Sequence, residues 1–516
     1  MTFRVLSTAG GLAAGVFFAA ALTSAQAAQT CESLTSLSLP NTTITLAQPV
    51  AAGAFTVPAG GGRGRGGDPN AAFKSLPAFC RVAATLKPSS DSDIRMELWL
   101  PAQTSWNGKL EADGNGGYTG SIAPATLAGG VARGYAAAMT DTGHEGGSAS
   151  FATGHPEKLV DFSYRAVHDM TVESKVIINA YYGNTPKLSY WNGCSAGGRQ
   201  ALKEAQKYPA DFDGIVAGSP GINWTGRSTQ AVWIAQANHK DEASTIPPAK
   251  FAAIHAAALE ACDATDGLKD GIIEDPTRCK FDPAVIQCKG EDSNVCLTAP
   301  QVETVRKIYS SVINPRTKQE IFPGHEPGSE LGWNTMAGPQ PMGLGLDLFR
   351  YIVFKNPDWD YRTFNFDSDF AASAKADADV DALDPNLKPF FAHGGRIVQY
   401  HGWADPQISP GSSVRYYTSV LEALGGASKV TDNYRLFMVP GMAHCGGGEG
   451  TSTFDMLGAV EQWVEAKKAP DQILASRTAR DGKVDRTRPL CPYPQLAKYK
   501  GSGSIDDAAN FTCKAP

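Results

Sequence analysis

Apolar and polar positions change period repeatedly along this chain. Ile94-Arg-Met-Glu-Leu-Trp-Leu100 alternates with the period of two that suits a half-buried strand, and Pro101 ends it. Tyr135-Ala-Ala-Ala-Met-Thr140 follows a helical segment and reads as a buried strand. Apolar residues from Phe162 to Tyr182 fall at helical spacing, Leu188 to Trp191 is a short strand, and Arg199 to Tyr208 is helical again. This alternation predicts an α/β fold with a mostly parallel sheet. After Gly221 the rhythm fails. Residues 221–395 hold clustered prolines, short helical runs such as Lys250 to Ala261, and four cysteines, the pattern of an inserted domain. It resumes with a strand at Arg396 to Tyr400, a helix at Ser412 to Leu424, a strand at Tyr434 to Val439 and a helix at Met456 to Glu465. The predicted core therefore comes in two parts, 28–220 and 396–516, around an insert at 221–395.

Residues 1–27 read as an export signal rather than structure. Arg4 supplies the positive start, Gly10 to Leu22 is apolar, and Ala25-Gln26-Ala27 is an A-x-A cleavage site that would leave Ala28 first. The apolar run is well short of the roughly 20 residues that span a bilayer. Ten cysteines with no C-x-x-C pair suit disulfides in an exported protein, periplasmic or secreted, better than zinc or a redox motif. A net charge of −6 gives no reason to expect nucleic acid or an anionic membrane as partner. The Gly/Arg patch at 59–67 lacks the Gly-Lys-Ser/Thr ending of a phosphate loop and reads as a surface loop.

Gly193-Cys194-Ser195-Ala196-Gly197 matches G-x-S-x-G between a strand and a helix, where a sharp turn lifts a serine to the sheet edge. A serine hydroxyl needs a base, and the base an orienting acid; in α/β-hydrolases the order is Ser, Asp or Glu, then His. Asp405 lies in the loop after the strand at 396–400. His444 follows the next strand and is the one histidine after Asp405. The oxyanion hole would use the N–H of Ala196 and one from Gly114-Asn115-Gly116-Gly117, with Gly116 or Gly117 favoured. Cys194 precedes the proposed nucleophile and Cys445 follows the proposed base, so a bond between them would hold Ser195 and His444 together.

Cys194-Ser195, Asp405 and His444-Cys445 resemble the CS-D-HC motif of the tannase and feruloyl esterase family, which also contains the bacterial hydrolase of mono(2-hydroxyethyl) terephthalate. Phe79-Cys80-Arg81-Val82, Gly114 to Tyr118, Asp141-Thr142-Gly143-His144, Tyr190 to Arg199, Asp213-Gly214-Ile215 and Asp358-Trp359-Asp360 resemble family segments too. The resemblance implies an α/β-hydrolase core with a large lid. It implies disulfides Cys31–Cys80, Cys194–Cys445, Cys262–Cys279, Cys288–Cys296 and Cys491–Cys513. It also implies a structural calcium in the lid, held by Asp263, Asp266 and Asp270 with the carbonyls of Leu268 and Ile272; the loop does not match the EF-hand pattern. No organic cofactor is expected.

The expected activity is serine hydrolysis of an aromatic ester, a ferulate, gallate or related phenolic ester of plant cell-wall or tannin origin. A terephthalate-type or gallate esterase is the nearest alternative. A serine peptidase, a silent α/β-hydrolase binding module and a calcium-dependent carbohydrate-binding protein are the rivals. Trp333, Phe349, Trp359 and Phe364 are candidate substrate aromatics, read first as lid core.

Overall fold

The computed structural model describes residues 1–2, 29–57, 68, 70–377 and 379–516. Residues 3–28, which hold nearly all of the expected export signal, and the Gly/Arg patch at 59–67 lie outside the described residues. Among them, nine strands form one sheet: β1 (Thr42–Val50), β2 (Phe79–Leu86), β3 (Ile94–Pro101), β4 (Lys109–Asp113), β5 (Ala136–Thr140), β6 (Leu188–Cys194), β7 (Gly214–Gly218), β8 (Arg396–Gly402) and β9 (Tyr434–Val439). Their spatial order is β1-β2-β3-β5-β4-β6-β7-β8-β9. The pairs from β5 to β9 are parallel, and β1, β2 and β3 continue the sheet antiparallel. This is the core of an α/β-hydrolase. The central strands are nearly continuous apolar runs because helices cover both faces.

One face packs α2 (Ala166–Tyr182), α3 (Ala196–Lys207) and α7 (Gly411–Ala423) through Met170, Ile177, Leu202 and Tyr416. The other packs α1 (Pro124–Ala132), through Leu127 and Val131 against Trp99 and Ala137, and α8 (Met456–Ala466), whose Met456, Leu457, Val460, Trp463 and Val464 recur at helical spacing against Tyr190, Val216 and Val398. Asp455 caps α8 by accepting the N–H of Gly458 at 2.9 Å.

No strand of the sheet lies between Gly218 and Arg396 among the described residues. That stretch contributes α4 (Trp224–Asn238), α5 (Phe251–Cys262) and α6 (Ala299–Tyr309), with one apolar cluster of its own and another shared with Tyr118, Phe162 and Ala196 of the core. Trp333 is buried in the first, and Phe349 and Phe364 in the second with Trp359 packed against them, so these aromatics are packing residues. Five disulfides form, joining the pairs that the family resemblance implied, and no cysteine is free. No helix of the described residues is long and apolar enough to cross a membrane.

Candidate active site

Strand β6 delivers Ser195 to the carboxyl edge of the sheet, where open α/β sheets place their sites. Its backbone is held at φ 64° and ψ −119°, outside the regions L-residues favour. Strain of this kind costs on the order of 1–3 kcal/mol and must be imposed by the surroundings. Two backbone bonds impose it: the Ser195 N–H donates to Gly218 O at 2.9 Å, and Ser195 O accepts from Gly221 at 3.1 Å. The turn is tight enough that a Cβ on Gly193 would stand 2.6 Å from the Gly197 carbonyl.

The other two predicted residues meet Ser195 there. His444 Nε2 lies 2.9 Å from Ser195 Oγ, and His444 Nδ1 lies 2.7 Å from Asp405 Oδ2. A carboxylate can only accept, so Nδ1 carries the proton and Nε2 is left to accept the Ser195 hydroxyl. Asp405 is fully buried. Burial by itself would push its carboxyl up, but His444 and His401 outweigh that and hold it well below the usual carboxylate range. The Cys194–Cys445 bond sets its two Cα atoms 6.0 Å apart, beside both Ser195 and His444.

The glycine loop after β4 is tied to the nucleophile's helix. Gly197 N–H donates to Asn115 O at 2.8 Å, and Asn115 N–H donates to the Gln200 side chain at 3.1 Å. A Cβ on Gly114 would lie 2.3 Å from Gly197 Cα, so this approach requires glycine. His144 Nε2 holds Tyr118 O at 2.8 Å from behind. Ala196, Gly116 and Gly117 thus stand on two segments locked together. A Cβ on Gly116 would meet nothing, whereas one on Gly117 would strike Leu344.

Of the proposed calcium donors, Asp266, Leu268, Asp270 and Ile272 line one cavity of about 80 Å³ together with Glu274. Asp263 caps the same loop, accepting from the N–H groups of Asp270 at 3.1 Å and Gly271 at 2.9 Å. Burial pushes Asp266 up and Glu274 up to about 7, which a bound cation would relieve. Arg488 already pairs with Asp270. The donors are hard oxygens of the kind calcium takes, but Arg486 also lies 3.8 Å from Asp270, and the carboxylates of Asp263, Asp266 and Asp270 do not all come within 4.8 Å of one another.

The site also contains a residue to which the sequence reading gave no role. His401, fully buried at the end of β8, places Nε2 3.1 Å from Asp405 Oδ2. Its spacing of four residues before the acid was the available signal.

The family described as tannase and feruloyl esterase matches residues 80–514. The chain is 39% identical to an uncharacterized esterase of Xanthomonas campestris pv. campestris, over 96% of this chain and 92% of that one. The crystal structure of feruloyl esterase B from Aspergillus oryzae superposes with a TM-score of 0.87 at 31% identity, covering 95% of this chain and all of that one. Tannin acyl hydrolase from Aspergillus niger shares the fold, with a TM-score of 0.78 at 22% identity over 94% of this chain and 95% of that one.

Proposed function

This chain belongs to the tannase and feruloyl esterase family and is a carboxylic ester hydrolase, and from that premise we propose that it cleaves aromatic, phenolic-acid esters by a Ser195–His444–Asp405 acyl-enzyme mechanism. The carrying observation is the unbroken chain of contacts from Asp405 through His444 to Ser195 Oγ. Ser195 Oγ attacks the ester carbonyl carbon as its proton passes to His444 Nε2. The N–H of Ala196 and that of Gly116 or Gly117 receive the negative charge on the carbonyl oxygen. Collapse breaks the ester C–O bond, and His444 gives its proton to the departing alcohol. Water, deprotonated by His444, then attacks the acyl-serine, releasing the acid and restoring Ser195. Asp405 stays ionised and faces the imidazolium throughout.

The ferulate-type acyl group is favoured by likeness to feruloyl esterase B at 31% identity over the whole of that chain. A structural calcium at Asp263, Asp266 and Asp270, with carbonyls of Leu268 and Ile272, belongs to the same reading and takes no part in chemistry. So does export, since five disulfides suit an oxidising compartment. The test is a kinetic panel of methyl ferulate, methyl gallate, chlorogenate and mono(2-hydroxyethyl) terephthalate, with Ser195→Ala beside the wild type. Methyl ferulate or chlorogenate should give the highest kcat/KM, and Ser195→Ala should lose about 10⁶-fold in kcat while keeping its fold. A folded Ser195→Ala with substantial turnover would remove the mechanism; a clear preference for the terephthalate ester would remove the substrate class.

A further inference from the structure

We propose that His401 is a positioning residue for the catalytic acid, fixing the carboxylate plane of Asp405 and drawing off part of its charge. The inference rests on the triad proposed above.

His401 Nε2 faces two atoms that can only accept, Asp405 Oδ2 at 3.1 Å and the Ile408 carbonyl at 3.1 Å, so this nitrogen carries the proton. Its Nδ1 lies 2.7 Å from Ser413 Oγ, a hydroxyl that can donate. A neutral imidazole satisfies every contact: Ser413 O–H donates to Nδ1, and Nε2–H donates to Asp405. His401 and Ser413 are both fully buried, so water cannot substitute for either.

The acid is then saturated. Asp405 Oδ1 accepts the N–H groups of Gln407 at 2.8 Å and Ile408 at 3.0 Å, while Oδ2 accepts from His401 and His444. The two backbone donors hold Oδ1, but they leave the carboxylate free to rock about its own axis. His401 fixes Oδ2, the oxygen that aims His444 at Ser195. Hydrogen bonds from Ser413 through His401, Asp405 and His444 to Ser195 thus form one line. Ser413 sits on α7, so the acid's geometry is referred to the helix that follows it in the chain. The other charged or titratable groups near Asp405 are Arg227 on α4 and His325 in the lid; burial pushes His325 down to about 4, which leaves it neutral at pH 7.

The sign of the effect follows. His401 N–H takes up part of the Asp405 charge. Removing it leaves more for His444, whose imidazolium gains stability, so the acid limb of the kcat/KM profile moves to higher pH. A purely structural histidine would lower the melting temperature and leave the limb where it was.

The experiment compares wild type with His401→Phe, His401→Gln and Ser413→Ala, reading kcat, KM, the pH profile and melting temperature, with Ser195→Ala as control. His401→Phe should lower kcat by about 10- to 100-fold with little change in KM, and move the acid limb upward. Ser413→Ala should move both in the same direction by less, because an imidazole that accepts no hydrogen bond at Nδ1 donates more weakly from Nε2. His401→Gln, which keeps an N–H donor, should recover most of the loss. If His401→Phe does not fold, the order wild type, Gln, Ser413→Ala in limb position decides alone. An unmoved limb in every folded variant, with kcat within about twofold of wild type, would overturn the proposal even while Ser195→Ala remains dead. An active Ser195→Ala would instead point to failure of the triad itself.

Discussion

At the catalytic edge of the sheet one carboxylate, Asp405, sits between two histidines; where the lid meets the catalytic loop one histidine, His255, sits between two carboxylates. His255 Nδ1 lies 2.8 Å from Glu330 and Nε2 lies 2.6 Å from Glu449. Burial alone would push the His255 imidazole down, but its two partners push it up to about 9, so it is charged at neutral pH. The two arrangements hold the same groups with opposite results. Around Asp405 the negative charge is locked and one nitrogen, His444 Nε2, is left facing a hydroxyl. Around His255 both nitrogens carry protons held by carboxylates, so neither is free to accept one at neutral pH. The first arrangement can move a proton; the second can only join the lid to the segment carrying His444. Availability of one ring nitrogen, rather than the presence of a His-carboxylate pair, separates chemistry from stapling.

The comparison breaks most severely at Asp405. In Asp405→Asn the side-chain oxygen can still accept from the backbone N–H groups of Gln407 and Ile408, which turns the amide N–H₂ toward His444. His444 must then accept at Nδ1 and carry its proton on Nε2, where it cannot serve as base. The expected loss is about 10⁴-fold in kcat, out of proportion to the fall in melting temperature that follows because the amide N–H₂ also faces the His401 N–H. A steady-state assay beside a thermal melt checks it, and a loss below tenfold would show that Asp405 does not set the tautomer.

Next in size is the covalent tie. Cys194 and Cys445 close a loop with a sequence separation of 251, for which chain entropy gives about 5 kcal/mol. His444 is held from both sides, by this bond to the elbow and by Glu449 to His255. Cys194→Ala with Cys445→Ala removes the first and leaves the second. Assayed well below its melting point, the double variant should lose at least about 10-fold in kcat, since roughly 1 Å of misplacement can cost about 10²-fold. Near-normal kcat in the folded variant would assign the bond to stability alone.

Much of this was legible in the sequence, and the omissions have physical reasons. Parallel strands β5, β6, β8 and β9 and the three proposed triad positions stood out because buried runs and strand-end loops leave a clear pattern, whereas β7, a five-residue run bounded by glycines, was not read as a strand. Strand β1 did not, because it is an edge strand with Ile44 its sole buried residue and carries little apolar alternation. The hairpin of Ile473–Thr478 with Val484–Leu490 was hidden because buried Arg486 and Arg488 take positions where apolar residues would mark a period; they reach Asp506 and Asp270 instead. His401 and His255 were visible as letters, but their roles depend on which ring nitrogen faces which acceptor, and only three dimensions supply that. The aromatics of the insert were legible in kind: Trp333, Phe349, Trp359 and Phe364 were read first as core, and they pack into apolar clusters.

A smaller effect is expected at the acidic loop that follows the helix bearing His255. If calcium sits at Asp263, Asp266 and Asp270, chelation removes a ligand that binds only the folded state and lowers the melting temperature by a few °C, on the order of 2–3 kcal/mol at calcium about 100-fold above its Kd. Below the transition kcat should change little, the converse of Asp405→Asn. Metal analysis finding no calcium in protein purified without chelator would sink the idea.

The smallest effect concerns His255 and is read from pH rather than rate. The folded state binds its proton more tightly than the unfolded chain, with a pKa of about 9 against an ordinary value of 6.5. Stability from the pair of carboxylates is therefore fully present below pH ~6.5 and is lost as pH rises through about 9. Glu330 is buried, but the Glu449 side chain is 48% exposed, so solvent screens half of the arrangement and the contribution is on the order of 1 kcal/mol. The other titratable groups against the cluster are Tyr309, pushed well above its usual range by burial and then by Glu330, and Arg477 beside Glu449. Neither changes charge across this window. His255→Gln keeps hydrogen-bonding capacity and removes the charge. Its melting temperature should fall below wild type by the most near pH 6, and the gap should close toward pH 10. A gap that stays constant from pH 6 to 10 would mean that His255 holds the lid by shape alone. The contrast with Asp405 would then lie in hydrogen-bond geometry and not in charge.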